Sequence, residues 1–268
     1  MSYFSGKVVV VTGGSGGIGK ALVELLLKKG AKVATCSRNY EKLFELETAY
    51  AGRPLHIATA DVSKESDCQK FIASVVATFG TIDVLINNAG VSMRALFKDL
   101  EIETLRTVMD VNFWGTVYCT KFALPEIIKN KGTIAGISSP AGFRGLPGRT
   151  GYSASKFAVN GFLESLRTEL LGDGVNVMWV SPGFTSSNIR NVALNEKAEP
   201  QKENPMDEDK LMSAEKCAVF ILSAIEKRKR TLVLTLLGKS SLLINKFFPA
   251  VADKMIRNFY FKNGQLIK

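Results

Sequence analysis

Residues 12–19 read Thr-Gly-Gly-Ser-Gly-Gly-Ile-Gly, and they join an apolar β-branched run, Val8–Val11, to a stretch with helical periodicity. Nothing else in the chain limits its fold as much. A strand that ends in glycines and re-enters at once as a helix is the opening of a βα unit. Glycine tolerates backbone conformations that other residues avoid, and it has no side chain to obstruct a ligand. The helix that follows presents unpaired N–H groups at its start, which suit a pyrophosphate. Gly13, Ser15, Gly17, Ile18 and Gly19 are therefore candidate contacts for a dinucleotide. The spacing Gly13-x-x-x-Gly17-x-Gly19 departs from the commoner Gly-x-Gly-x-x-Gly turn and points to a variant of it.

The same alternation continues along the 268 residues. Strand-like runs stand at Lys7–Val11, Lys32–Cys36, His56–Ala60, Val84–Ile86, Gly132–Ser138, Val175–Val180 and Thr231–Leu236. Helical patterns lie between them at Gly19–Lys29, Glu41–Tyr50, Ser63–Phe79, Ile102–Lys129, Tyr152–Leu171 and Ala214–Lys227, with Ser63 expected as an N-cap. Strands alternating with helices predict an α/β fold: one Rossmann-type, doubly wound domain with a seven-stranded parallel sheet and helices on both faces. The short apolar runs suit strands covered on both sides. Residues 1–238 are expected to form this domain, with a substrate loop at about 184–212. Within that loop, Asn195–Asp209 is polar and Pro-containing and reads as a mobile loop or lid. Residues 239–268 read as an amphipathic extension packed on the same domain.

Candidate ligand contacts gather where the strands end, the edge at which open α/β sheets bind ligands. Ser37-Arg38-Asn39 closes the second strand, and no acid occupies positions 36 to 39. A carboxylate there would take a ribose 2′-hydroxyl. Arg38 instead suits a 2′-phosphate, with Ser37 or Asn39 as further donors, so NADP(H) is expected over NAD(H). Asp61-Val62 follows the third strand, where a carboxylate can accept from an adenine amino group or simply open a helix. Asn87-Asn88-Ala89-Gly90 ends the fourth, its small residues leaving room for a ribose. Ser139 follows the fifth. Tyr152 and Lys156 are four residues apart, on one face of a helix, where a cation beside a phenol is expected to lower the Tyr pKa from about 10.

Taken together, Thr12-Gly-x-x-x-Gly-x-Gly19, Asn87-Asn-Ala-Gly90, Asn112, Ser139, Tyr152-x-x-x-Lys156 and Pro182-Gly183 resemble the short-chain dehydrogenase/reductase family. The resemblance covers roughly residues 5–185. It implies hydride transfer between NADP(H) and a carbonyl/alcohol pair. Tyr152 would be the general acid/base, Ser139 would hydrogen-bond the substrate oxygen, and Lys156 would hold the nicotinamide ribose. Asn112 would help hold a water that passes protons to Lys156. Pro182, Gly183 and Thr185 would lie against the nicotinamide. The layout is similar to 3-ketodihydrosphingosine reductases and the 11β-hydroxysteroid dehydrogenase-like branch, which implies an apolar or lipid-like substrate. Phe97, Phe143, Leu146, Phe184, Ile189, Val192 and Leu194 would wall its pocket. A family-like epimerase or dehydratase and a non-catalytic NADP-binding protein are the competing readings. Intact Asn112, Ser139, Tyr152 and Lys156 weigh against the second of these.

Composition narrows the partners. The net charge of +10 suits a phosphorylated cofactor or an anionic lipid, but no aromatic-basic motif supports nucleic-acid binding. Four scattered cysteines and one histidine give neither a metal site nor a disulfide framework. The start of the chain shows no basic-then-apolar leader, so a cytoplasmic protein is expected, peripheral on a membrane in one reading. That reading rests on the tail, where Ser241–Pro249 and Met255–Phe261 mix Lys and Arg with Leu, Ile and Phe. Such a segment packs on the enzyme, covers a partner in a homodimer or homotetramer, or lies in a membrane interface.

Overall fold

A computed structural model describes residues 2–186, 189–201 and 211–267. Seven strands form one parallel sheet: β1 (Val8–Thr12), β2 (Lys32–Ser37), β3 (Leu55–Thr59), β4 (Val84–Asn87), β5 (Thr133–Ile137), β6 (Asn176–Ser181) and β7 (Thr231–Val233). Their spatial order is β3-β2-β1-β4-β5-β6-β7, so the chain winds outward in both directions from β1 and β4. That is the doubly wound arrangement expected from the sequence.

Alternation within each strand builds two cores. Val8 and Val10 of β1 point to one side of the sheet, and Val9 and Val11 to the other. The first side is covered by α3 (Glu65–Phe79), α5 (Gly115–Lys129) and α6 (Thr150–Glu169), through residues such as Phe71, Ile127 and Leu163. The second is covered by α1 (Gly17–Lys28), α2 (Tyr40–Ala49) and α7 (Ala214–Glu226), through Leu22, Leu46 and Ile221. Each such side chain contributes about 1.5–3 kcal/mol by leaving water, which is why strands with no polar face are tolerated here.

Three local features differ from the sequence expectation. The stretch Ile102–Lys129 is not one α-helix. It divides into α4 (Ile102–Met109), a π-helical turn Asp110–Trp114, and α5. The turn inserts an extra residue without breaking the axis, so hydrophobic periodicity gives no warning of it. Ser63 does not cap α3, because its N–H and hydroxyl both donate to Asp61 Oδ1 and the cap position falls to Lys64. β7 ends at Val233, and Leu236 already belongs to α8 (Leu236–Phe247). Of the expected lid Asn195–Asp209, residues 202–209 lie outside the described residues. Asn195–Gln201 hydrogen-bonds back on itself and to Ala193 and Arg94.

Beyond the sheet the chain continues through α8, α9 (Pro249–Tyr260) and a short hairpin of β8 (Phe261–Lys262) and β9 (Gln265–Leu266). Pro249 begins α9, where a missing N–H costs nothing. These elements return to the carboxyl ends of the strands. Arg144 fixes them there by pairing with Asp253 and donating to Asn245 Oδ1 at 2.7 Å.

Candidate active site

One cavity of about 660 Å³ opens along the carboxyl ends of the strands. At its centre the glycine turn and the loop after β4 are tied together. The Thr12 hydroxyl accepts from the Asn88 and Ala89 amides, at 3.0 Å each, and the Asn88 carboxamide donates to the Thr12 and Gly13 carbonyls. The glycines are needed for this approach. Gly13 has φ +71°, and a Cβ on it would press on Ala89. A Cβ on Gly19 would collide with the Gly13 carbonyl and the Asn88 carboxamide. Gly16, the N-cap of α1, has no side-chain cap and no acid in the turn after it, which leaves backbone donors facing the cavity.

Gly13, Ser15, Gly17, Ile18 and Gly19 line this cavity, as do Asn88, Ala89 and Gly90. At one end Ser15 donates to Ser37 across 2.7 Å, beside Arg38. Lys42, one helical turn beyond Arg38, also lines that end and was missed in the sequence reading. Asn39 is not part of the wall, because its Oδ1 accepts from the Lys42 amide and caps α2. Asp61 and Val62 line the cavity, with Asp61 also bracing Ser63. Pro182, Gly183 and Thr185 line it beyond β6.

The other end holds the candidate chemistry. Ser139 opens a 3₁₀ turn after β5 and accepts from the Ala141 amide at 3.1 Å, while its hydroxyl also meets the Tyr152 phenol. Lys156 is buried, with its ammonium 5.7 Å from the Tyr152 ring centre and bonded to the Ile137 carbonyl at 2.8 Å. Burial pulls the Lys156 pKa down to about 8. Burial also pushes the Tyr152 phenol above its ordinary range, opposed by the Ser139 hydrogen bond and by the charges of Arg149 and Arg190. This corrects the expectation that Lys156 acidifies the phenol. The ammonium is directed at a backbone carbonyl while it lies over the Tyr152 ring, and the charges that lower the phenol pKa are those of Arg149 and Arg190. Asn112, in the π turn, does not line the cavity. Its carboxamide exchanges bonds with the Val91 backbone, at 2.8 and 2.9 Å, and donates to Ser155 at 2.9 Å.

Leu146, Phe184, Ile189 and Val192 wall the substrate end as expected. Phe97 does not, being 60% exposed. Phe143 packs on the core instead, and Leu194 is buried with Met93 and Val108. The missing wall comes from the tail: Ile244 of α8 and Met255, Ile256, Phe259 and Tyr260 of α9. Tyr260 is only 4% exposed and hydrogen-bonds Arg149, which the sequence separates by more than a hundred positions. Only the apolar pattern of the tail hinted at this closure.

Comparison with known proteins agrees with this geometry. The family model for the short chain dehydrogenase matches residues 7–198. "11-beta-hydroxysteroid dehydrogenase-like 2" of Arabidopsis thaliana is 34% identical, over 94% of this chain and 81% of its own length. "Dehydrogenase/reductase SDR family member 7B" of Mus musculus is 34% identical, over 87% of this chain and 75% of its own. Among solved structures, a short-chain dehydrogenase from Streptomyces avermitilis superposes with a TM-score of 0.81 at 26% identity, covering 96% of this chain and 100% of that one. A short chain dehydrogenase/reductase from Burkholderia phymatum, solved in complex with NAD, shares the fold with a TM-score of 0.84 at 22% identity, covering 94% and 96%.

Proposed function

The chain belongs to the short-chain dehydrogenase/reductase family, and from that premise we propose that it is an NADP(H)-dependent oxidoreductase acting on an apolar carbonyl or secondary alcohol. The observation that carries this reading is the placement of Ser139, Tyr152 and Lys156 in the same cavity as the glycine turn, with Ser37 and Arg38 at its far end. The donor set fits the cofactor. Uncapped α1 amides face the position of a pyrophosphate, and Ser15, Ser37, Arg38 and Lys42 form a cationic, hydroxyl-bearing end suited to a 2′-phosphate. Asp61 and Val62 would flank the adenine, Asn88 to Gly90 the ribose, and Pro182, Gly183 and Thr185 the nicotinamide. Bound NADP(H) would supply or accept the hydride.

The protein supplies the proton and the positioning. In carbonyl reduction Tyr152 gives its phenolic proton to the substrate oxygen while the Ser139 hydroxyl hydrogen-bonds that oxygen. Burial keeps the phenol protonated at neutral pH, the form that reduction requires. Lys156, tied to the end of β5, holds α6 against Ser139 and offers donors to the cofactor ribose. Asn112 acts as a positioning residue: it fixes the Val91 backbone at the cavity wall and Ser155 beside Lys156.

The wall of Leu146, Phe184, Ile244, Met255 and Phe259 supports an apolar substrate body. Trp114 and Phe157, exposed at 43% and 47% near α5 and on α6, support assembly into a homodimer or homotetramer through that face. The outer side of the tail exposes Leu243, Phe247, Phe248 and Val251, with Lys246 and Lys254 among them, which supports contact with an anionic membrane surface. Among the described residues no helix is long and apolar enough to cross a bilayer. An NADPH-oxidation screen over sterols, long-chain oxo compounds and retinal-like aldehydes tests the activity. Stoichiometric NADPH loss with alcohol formation is expected, and a product formed without NADPH loss would favour an epimerase or dehydratase.

A further inference from the structure

The substrate end of the cavity is more cationic than an apolar ketone requires. Arg144, Arg149 and Arg190 all line it, and Asp61, at the nucleotide end, is the acid among the described lining residues. Asp253 neutralises Arg144. Arg149 has no carboxylate partner among the described residues. Its guanidinium is half-buried and held by two neutral hydroxyls, Ser92 at 2.9 Å and Tyr260.

The surroundings fix that guanidinium in place. Arg149 is the N-cap residue of α6, three residues before Tyr152, and its charge acts on the Tyr152 phenol. Gly148, beside it, packs so closely against Leu266 of the terminal hairpin that a side chain there would collide. Tyr260 is locked by burial, and its carbonyl accepts from the Ile267 amide at 2.8 Å. A cation kept away from bulk water without a counter-charge is costly unless an anion completes it. Hydroxyl partners can support a bound anion, but they cannot neutralise the guanidinium.

We propose that Arg149 and Tyr260 form a subsite for a carboxylate on the substrate. The enzyme then acts on amphipathic oxo acids or their hydroxy counterparts. The reacting carbonyl meets Tyr152, and the carboxylate, a few bonds away, meets Arg149. The aliphatic body lies along Val192, Ile244, Met255 and Phe259. This rests on the oxidoreductase reading and adds the substrate class to it. The tail thereby contributes to recognition as well as closure, because Tyr260 enters the site from α9. The positive field of Arg149 acts on both phenols, so occupancy of the subsite also couples to the acidity of Tyr152.

The test uses the full chain with NADPH and two matched probes, 2-oxooctanoate and its methyl ester. Wild type is expected to favour the acid about 10- to 100-fold in kcat/KM, the range of one charge-assisted contact. Arg149→Met should bring that ratio to about one, Arg149→Lys should restore part of it, and Tyr260→Phe should lower it several-fold. A second arm needs no turnover: octanoate should raise the melting temperature of the NADPH-loaded wild type, and octanol should not. A wild-type ratio near one, or an equal loss on both probes in Arg149→Met, would overturn the subsite. If neither probe is reduced, the oxidoreductase reading fails on them, and octanoate stabilisation that requires Arg149 still decides the subsite.

Discussion

Lys156 reaches from α6 to the last carbonyl of β5 and donates to Ile137 across 2.8 Å, in a setting that leaves the side chain 5% exposed. This bond joins the helix bearing Tyr152 to the strand whose end bears Ser139. The candidate proton donor and its hydroxyl partner are thus held by one buried cation. That cation has a folded-state pKa of about 8 against an ordinary 10.5.

A pH signature follows from that burial. Below about 8 both folded and unfolded chains carry the charge, and folding bears the full desolvation cost. Between about 8 and 10.5 the folded chain has lost the proton while the unfolded chain retains it. Stability therefore rises with pH through this window as the unfolded state gives the proton up. The amplitude is about 3 kcal/mol. Urea melts of wild type and Lys156→Met at pH 7.5 and 10 measure it. The variant's stability relative to wild type should be higher at pH 7.5 than at pH 10, and an equal gap at both would contradict the buried-cation account.

In the proposed mechanism the Tyr152 hydroxyl is the proton donor, and its removal should affect little else. Tyr152→Phe should lower turnover by about 10²- to 10⁴-fold while NADPH still quenches intrinsic fluorescence with a Kd within a few-fold of wild type. Retained activity would take the acid/base role away from this residue.

The proposed preference for NADPH rests on the cationic end of the cavity at Arg38 and Lys42. Arg38→Asp should reduce the NADPH/NADH ratio of kcat/KM by about 10- to 100-fold. Steady-state rates with both nucleotides on one ketone provide the ratio. An unmoved value means that the 2′-phosphate is held elsewhere or is not selected.

Gly19→Ala tests the turn itself. Its methyl group would meet the Gly13 carbonyl and the Asn88 carboxamide, so the loop must open. A fall of several degrees in melting temperature and at least a tenfold weaker NADPH affinity are expected, read by thermal melts and titration.

The proposed membrane contact rests on the outward apolar residues of the tail. Full-length protein should float with vesicles rich in anionic lipid, and a Phe247→Glu, Phe248→Glu variant should not. Both positions are more than 60% exposed, so the variant should fold. Equal sedimentation of both proteins would remove the membrane reading.

Much of this molecule could be read directly from its residues. Strand identity followed from short β-branched runs such as Val8–Val11, because a strand buried on both faces cannot afford polar positions. The glycine turn was legible because its chemistry is local: Gly13 and Gly19 answer backbone contacts at a neighbouring strand end and a few residues away. Tyr152 and Lys156 were legible because helical spacing puts i and i+4 together. The π turn around Asn112 was not, since one extra residue in a helix leaves no periodic trace.

Sequence was therefore sufficient wherever the governing force acts over a few residues: secondary structure, the parallel character of the sheet by alternation, and the identity of the motifs. The encounter of Arg149 with Tyr260, the closure of the cavity by α8 and α9, and the ionisation of Tyr152 and Lys156 required the folded chain. Those properties depend on desolvation and on charges brought together from distant segments, and no local pattern encodes either.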